Sequence, residues 1–211
     1  MNTYRDYLQK TFLEELNYKI WSTKGSRFNA SKRLLALSRI SNLSNNFLSV
    51  YLTTVGLMSV YNIYSPNLIR ENTLAYSITS LSILALVFGQ IENAKDYNIK
   101  ARDHHNCGLE LSSLYNDLRI FKTLRENPTI AEKEQFAKEV SASYQGILAR
   151  YDNHELIDID CFKILTAPYH ELSSWQVFKI KVRYSVGVFF IYYFLIIVPP
   201  LIILLLLIMH K

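Results

Sequence analysis

Three long stretches of this chain contain no charged residue, and this feature limits what the chain can fold into more than any other. The stretches cover residues 40–69, 72–91 and 184–210. A helix that crosses the hydrocarbon core of a bilayer needs about 20 mostly apolar residues, each rising about 1.5 Å. Each stretch is therefore long enough for one membrane crossing.

The apolar parts of the three stretches are Phe47–Tyr64, Asn72–Ile91 and Tyr184–Met209. We predict one transmembrane helix in each. The third is the most apolar, and its residues do not suit the surface of a soluble domain. The first two contain several Ser and Thr residues, so the alternative for them is a pair of core helices in a soluble domain. Their length without charge argues against that alternative, because core helices usually keep a polar face.

The distribution of Lys and Arg predicts the orientation of these spans. Of 23 such residues, only Arg70 and Lys211 fall outside the segments that we assign to the cytoplasm. Basic residues flank the cytoplasmic ends of membrane helices. The short linker 65–71 carries a Ser-Pro-Asn turn signal and predicts a hairpin of the first two spans. The N-terminus is then cytoplasmic and the C-terminus lies outside.

A basic cluster precedes the hairpin and comprises Lys24, Arg27, Lys32, Arg33 and Arg39. We predict that it anchors the cytoplasmic side and contacts anionic lipid. Nucleic-acid contact is the alternative, but no helix-turn-helix, zinc-finger or RNP pattern accompanies the cluster. We therefore expect no direct nucleic-acid binding. We expect no signal peptide, because the first 40 residues are polar. The two cysteines lack the spacing of a disulfide framework.

These observations predict an all-α membrane protein with an N-terminal transmembrane helical hairpin, a cytoplasmic helical region and a C-terminal third transmembrane helix. The predicted segments are a basic helical segment (1–44), the hairpin (45–91), the cytoplasmic helical region (92–182) and the third transmembrane helix (183–211).

An apolar stripe runs through the first cytoplasmic helix, predicted from Asn93 to Glu126. Its positions recur at spacings of three, four or their sums, which is typical of one helix face: Tyr97, Ala101, Leu111, Leu114, Leu118 and Phe121. The stripe can continue the second span as one long helix. It packs either on the chain's own helices or on a neighbouring subunit as a coiled coil, and the pattern does not distinguish these.

The next helix is predicted from Pro128 to Tyr151, with Asn127 as its cap and proline in its first turn. A turn at Asp152-Asn153 opens an acidic cluster that continues to Asp160. Such carboxylates can do acid–base work or bind Mg²⁺, but structural contacts or a partner surface are the plainer readings. We name the candidates for a signal or interface surface: His105, Asp152, Asn153, His154 and Asp158.

Histidines and cysteines of the predicted cytoplasmic region make a zinc site one conceivable alternative. His104 and Cys107 share a helix face, and His105, His154 and Cys161 are the other conceivable ligands. The tight pairs typical of zinc sites, such as CxxC or HExxH, are absent from the sequence. Six glycines leave little material for a nucleotide-binding loop. We therefore expect no metal, no cofactor and no catalytic activity.

Small and polar residues within the hairpin are the candidates for helix packing or for lining a pore: Ser49, Thr53, Asn62, Thr79 and Ser82. Small faces let membrane helices approach closely, whereas hydroxyl groups can line an aqueous path. One two-span hairpin cannot enclose a pore, so a pore requires several subunits. Pro199-Pro200 predicts a kink in the third span.

Three runs of sequence resemble those of a known family. They are RFNASKRLLALSRISNLSNNFLSVYLTTVGL, NAKDYNIKARDHHNCGLELSSLYNDL and ILARYDNHELIDIDCFK. They resemble the SLATT domains, the two-span effector domains associated with bacterial nucleotidyltransferase and SLOG conflict systems. The likeness extends from about residue 10 to residue 200 and is closest to subgroup five, some members of which lie beside reverse transcriptases. The third predicted span departs from a two-span description.

The resemblance implies a membrane effector of bacterial anti-phage defence, located in the inner membrane. It implies an oligomer that forms a pore or disrupts the membrane when a partner signals infection, so that growth stops or the cell dies (abortive infection). The expected partners are membrane lipids, further copies of the chain and the product of a reverse transcriptase or nucleotidyltransferase. The alternative is a non-lytic membrane anchor or scaffold for such an enzyme.

Overall fold

A computed structural model describes residues 11–64 and 71–209, except for the side chains of residues 61–64, 71–72, 203 and 206–209. The described residues form six α-helices. They are α1 (Phe12–Tyr64), α2 (Glu71–Asn93), α3 (Tyr97–Leu124), α4 (Ile130–Leu148), α5 (Leu156–Leu165) and α6 (Ser174–Met209). The all-α prediction is confirmed for these residues. The predicted hairpin turn lies outside them.

Helix α1 has 53 residues, which makes it about 80 Å long. Along one of its faces, buried positions alternate at spacings of three and four residues. They are Arg27, Ala30, Leu34, Leu37, Ser41, Ser44, Leu48, Tyr51 and Val55. This spacing keeps all of them on one side of a helix. We call this set the α1 stripe, and other helices pack along it.

The chain divides into two compact units, and each contains part of α1 and part of α6. Unit 1 comprises residues 1–35 and 98–184, and unit 2 comprises residues 36–97 and 185–211.

The core of unit 1 joins α1, α3 and α4. Its buried apolar residues are Leu16, Ile20, Cys107, Leu111, Leu114, Leu118, Val140 and Ile147. The rings of Phe121 and Phe136 stack with centroids 3.9 Å apart. The apolar stripe of α3 therefore packs on helices of its own chain, as one of the two readings predicted. Coiled-coil pairing of this stripe with a neighbouring subunit was the other reading, and it is wrong because the stripe is already covered.

Helix α5 also packs closely on α1 in unit 1. A Cβ atom at Gly25 would overlap the ring of Phe162, so the absence of a side chain at Gly25 permits this approach. The ring of Phe162 also meets the Trp21 ring edge-on, with centroids 4.8 Å apart. Glycine at position 25 thus sets the distance between the two helices.

In unit 2, α1, α2 and α6 meet around the buried carboxylate of Glu92. The Tyr192 hydroxyl donates a hydrogen bond to Glu92 Oε2 at 2.8 Å, and Ser41 also hydrogen-bonds to this carboxylate. Lys95 pairs with Glu92 Oε1 at 2.5 Å. Ser44 donates to the Tyr192 carbonyl at 3.4 Å. We call this group the Glu92 junction.

Helix α1 also supplies a hydrogen bond where α6 lacks one. Pro199 and Pro200 lie inside α6. Pro200 has no N–H to donate to the carbonyl of Ile196, four residues earlier. The Tyr51 hydroxyl of α1 donates to that carbonyl instead. A backbone group left free by proline is thus satisfied by a side chain of the neighbouring helix.

Two helical stretches among the described residues are long and apolar enough to cross a membrane, by length and composition. One is Thr73–Leu124, which begins in α2 and continues through α3, and the other is Ser174–Ile202 in α6. They contain all but the first residue of the second predicted span and the larger part of the third. The first predicted span, Phe47–Tyr64, is not among them.

Three predictions about helix ends are wrong, and one of them is the end of α4, which is Leu148 instead of Tyr151. Asp96 has a positive φ of 49° and separates α2 from α3, so the second span does not continue as one uninterrupted helix. Helix α4 begins at Ile130 instead of Pro128, because Thr129 is its N-cap and forms a capping box with Glu132. Asn127 lies before the cap with a φ of 43°.

The contact between Tyr51 and the Ile196 carbonyl can be tested with a double-mutant cycle. We expect Tyr51→Phe to lower the free energy of unfolding by about 1 kcal/mol, because a carbonyl freed by proline then lacks its donor. Pro200→Ala restores an N–H to Ile196, so Tyr51→Phe should cost less in that background. The free energy of unfolding is measured in detergent for the wild type, the two single variants and the double variant.

Tyr193→Phe is the matched control for this cycle, because Tyr193 is an exposed tyrosine on α6. It should be neutral in both backgrounds. If Tyr51→Phe lowered the free energy of unfolding equally with and without Pro200, the proline could not be the reason that the Ile196 carbonyl needs the Tyr51 hydroxyl.

Candidate functional site

A buried ion pair links α1 to α5 in unit 1. Arg33 is 5% exposed and Asp158 is fully buried. Arg33 Nε lies 2.8 Å from Asp158 Oδ1 and Nη2 lies 2.9 Å from Oδ2, which is the bidentate geometry of a strong pair. Burial by itself would lower the pKa of Arg33, but the hydrogen bond and charge of Asp158 outweigh it and the pKa is raised.

Asp158 also organises the start of α5. Its Oδ2 accepts a hydrogen bond from the backbone N–H of Glu155 at 3.0 Å, and Glu155 precedes the first residue of the helix. The exposed carboxylate of Glu155 in turn lies 3.0 Å from Arg33 Nη1. One carboxylate therefore caps a helix and neutralises a buried arginine.

A second arginine of α1, Arg27, is buried without a carboxylate partner in the described part of the chain. It is 0% exposed. Its Nη1 lies 3.2 Å from His104 Nδ1 and donates to the carbonyl of Asp152. Its Nε and Nη2 have no hydrogen-bond partner, and neither does the buried Nδ1 of His154. We call Arg27, Arg33, His104, His154 and Asp158 the buried polar cluster.

Both histidines of the cluster are neutral at pH 7. Burial lowers the pKa of His104, and the positive charge of Arg27 lowers it further. The same two causes, in the same order, lower the pKa of His154 to about 4. Because arginine has no acceptor, His104 Nδ1 must accept the hydrogen bond from Arg27, which requires the tautomer with a proton on Nε2.

The structure brings only some of the predicted signal residues together. His154 and Asp158 belong to the buried polar cluster, and Asp152 contributes its backbone carbonyl while its side chain is exposed. Asn153 is exposed in the same loop. His105 is exposed on α3, where its ring meets Phe28 with centroids 5.5 Å apart.

The basic flank differs from the prediction. Arg27 and Arg33 are buried inside unit 1, so these two cannot contact lipid, whereas Lys32 and Arg39 are exposed. In the sequence, charge alone does not distinguish Arg27 and Arg33 from the other basic residues of this flank. A usable signal was present, because Arg27 is the first member of the stripe that continues through Ala30 and Leu34.

The candidate residues of the hairpin lie mostly on the outer surface of unit 2. Ser49, Thr53 and Thr79 are exposed and Ser82 is half-buried. Each hydroxyl donates to the carbonyl four residues earlier in its own helix, at 2.8–3.1 Å. The side chain of Asn62 lies outside the described residues. These four hydroxyl groups therefore make hydrogen bonds within their own helices and need no partner from another helix. Those of Ser49, Thr53 and Thr79 belong to exposed residues.

The cysteines and histidines do not assemble a metal site within the described residues. No group of three or more His, Cys, Asp or Glu side chains there is arranged to hold a metal ion. Burial raises the pKa of both Cys107 and Cys161, so both are protonated thiols at neutral pH.

An apolar groove of about 960 Å³ lies elsewhere in unit 1, between the start of α1, the end of α3 and α4. Phe12, Phe121 and Ala137 line it. None of its lining residues belongs to the buried polar cluster.

The comparison with known families identifies one match. The family model described as SMODS and SLOG-associating 2TM effector domain family 5 matches residues 9–206, which is nearly the whole chain. No curated protein matches the chain, and no solved structure does.

Breaking the buried ion pair should strongly destabilise unit 1. We expect Asp158→Asn to lower the free energy of unfolding by about 3–5 kcal/mol, because it leaves the charge of Arg33 buried and unpaired. Asp160→Asn is the matched control two residues further along α5, where the carboxylate pairs with the exposed Arg183. That control should cost less than about 1 kcal/mol. Similar costs for the two variants in chemical unfolding would contradict this account.

Acid should destabilise the chain partly through the half-buried His154. The pKa of His154 is about 4 in the folded chain and about 6.5 when unfolded. The unfolded state therefore binds more protons between these values, and stability is lost as the pH falls from 6.5 to 4. Thermal unfolding of His154→Gln across this window should show a weaker pH dependence than wild type. The exposed His105→Gln should match wild type, and an unchanged slope in His154→Gln would refute the assignment.

Proposed function

The chain belongs to SMODS and SLOG-associating 2TM effector domain family 5, a family of two-transmembrane effector domains associated with defence systems, and we propose that it breaches the bacterial inner membrane. In this proposal several copies assemble in the membrane after a partner signals infection. They form a pore or disrupt the bilayer, and growth stops or the cell dies. The proposal assigns no catalytic role to the chain.

Contacts within unit 2 support three spans that share one membrane boundary. Ser41 of α1 contacts Glu92, and Asn45 lies against Gly89, so α1 and α2 run antiparallel. Ser44 and Tyr51 contact the carbonyls of Tyr192 and Ile196 in that order, so α1 and α6 run parallel. The three helices therefore leave the Glu92 junction towards the same side.

The lengths of these helices support the same topology. Beyond the junction, α1 continues to Tyr64 and α2 extends back to Glu71, and α6 continues from Tyr192 to Met209. Each segment has roughly the 20 residues that a bilayer crossing requires. We place the cytoplasmic boundary at the Glu92 junction, because the charge-free stretches begin or end near it and the basic residues Arg39, Lys95 and Arg183 flank those stretches in the sequence.

The observation that carries the proposal is a polar face on the outside of α1. Asn42, Asn46, Ser49 and Thr53 follow one another at spacings of four, three and four, and all are exposed. They lie away from the α1 stripe. Asn42 and Asn46 lie beside the α1 residues of the Glu92 junction, and Ser49 and Thr53 continue the same face into the predicted span. Polar groups that face lipid are unfavourable, so this face supports contact with another copy or with water. Since one hairpin cannot enclose a pore, the proposal requires an oligomer.

The test is to express the chain with and without its neighbouring genes and to follow membrane potential with a fluorescent dye during infection. We expect the potential to collapse in triggered cells, and Ser49→Leu/Thr53→Leu to prevent the collapse because it makes the polar face apolar. Val50→Leu, on an exposed apolar position of α1, is the control and should behave as wild type. An unchanged potential in triggered, growth-arrested cells would refute pore formation.

A non-lytic anchor for a partner defence enzyme, such as a reverse transcriptase or nucleotidyltransferase, is the second candidate. One observation favours it: the hydroxyls of Ser49, Thr53 and Thr79 are satisfied within their own helices and need no water. An anchor predicts that Ser49→Leu/Thr53→Leu keeps full defence activity while the potential stays unchanged throughout infection.

A further inference from the structure

We propose that Arg27 and His154 in unit 1 form a binding site for a small oxyanion such as inorganic phosphate. The inference goes beyond the proposed membrane activity and does not depend on it.

The first argument is charge. The guanidinium of Arg27 is 0% exposed, and arginine does not lose its proton in proteins. Arg33, the other buried arginine of unit 1, is neutralised by Asp158 and Glu155. Arg27 has no such partner in the ranges that the structure describes, and its two hydrogen-bond partners, His104 and the Asp152 carbonyl, are neutral. A buried charge is strongly unfavourable unless it is paired, so a bound anion would stabilise the charge of Arg27.

The second argument is geometry. Arg33 binds the Asp158 carboxylate through Nε and Nη2. The same two nitrogens of Arg27 have no hydrogen-bond partner, while its Nη1 is occupied by His104 and the Asp152 carbonyl. Arg27 therefore keeps free the edge that binds two oxygens of a carboxylate or phosphate side by side.

A third group belongs to the same site. Nδ1 of His154 is buried and also lacks a hydrogen-bond partner, and the charge of Arg27 acts on this ring strongly enough to help lower its pKa. In the tautomer with a proton on Nδ1, His154 donates a third hydrogen bond to an oxyanion. The loop that carries His154 also holds Asp152, whose carbonyl accepts from Arg27, so this loop lies beside the guanidinium of Arg27.

The test uses the full chain in nanodiscs of phosphatidylcholine, which excludes anionic lipid headgroups as the ligand. Phosphate is titrated at constant ionic strength against chloride while thermal unfolding and the binding heat are measured. We expect a saturable rise in Tm and a binding constant for wild type. Arg27→Gln should weaken phosphate binding by roughly tenfold or more, because it removes two charged hydrogen bonds. Lys32→Gln, an exposed cation on the same helix, should leave binding unchanged.

A second variant and a second readout keep the test informative if Arg27→Gln does not fold. Arg27→Lys keeps the charge but loses the two-nitrogen edge, so phosphate binding should weaken in this variant too. Bound phosphate should also raise the pKa of His154 when its ring is followed by NMR. A wild type without saturable binding would overturn the proposal and leave ordered water as the occupant. A Tm rise of equal size in wild type and Arg27→Gln would overturn it as well, since phosphate also stabilises proteins non-specifically.

Discussion

Helix α1 supplies a packing surface to each of the two units of this chain. The α1 stripe begins with Arg27 and passes through Leu34, Leu48 and Val55 at regular spacings of three and four residues. In unit 1, α3, α4 and α5 pack on α1, and in unit 2, α2 and α6 do so. The composition of the stripe changes along its length. Its first part contains a buried cation, whereas its second part offers hydroxyls that hydrogen-bond to Glu92 and to the backbone of α6.

Much of the fold was predictable because charge-free length is a local property. The helical class and the apolar character of α2 and α6 follow from runs of residues that any bilayer-length helix requires. The ends of helices were less predictable, because Asn127-Pro128 and Thr129 offer competing start signals and only the reciprocal contact with Glu132 selects the second. The packing of the α3 stripe also required the structure, since an apolar face does not specify its partner.

The candidate site could be predicted only in part, for a related reason. His154 and Asp158 stand out in the sequence as a histidine and a carboxylate in one turn. Their partners, Arg27 and Arg33, lie more than a hundred residues earlier in the sequence. In the sequence alone, both arginines resemble the basic residues that ordinarily flank a membrane helix. The helical period then places Arg27 on the buried face of α1. The two arginines differ in one feature. Arg33 has the Asp158 carboxylate on the Nε–Nη2 edge of its guanidinium, whereas the same edge of Arg27 has no hydrogen-bond partner among the described residues.

In the proposed mechanism, the polar face of α1 meets water when the effector acts. Cysteine accessibility tests this most directly, in a chain whose own thiols are removed by Cys107→Ser and Cys161→Ser. A membrane-impermeant maleimide should label Thr53→Cys in triggered cells and not in resting cells. Leu86→Cys, on an exposed apolar position of α2, should stay unlabelled in both. Growth-arrested cells in which Thr53→Cys remains unlabelled, or in which both positions react equally, would contradict the account.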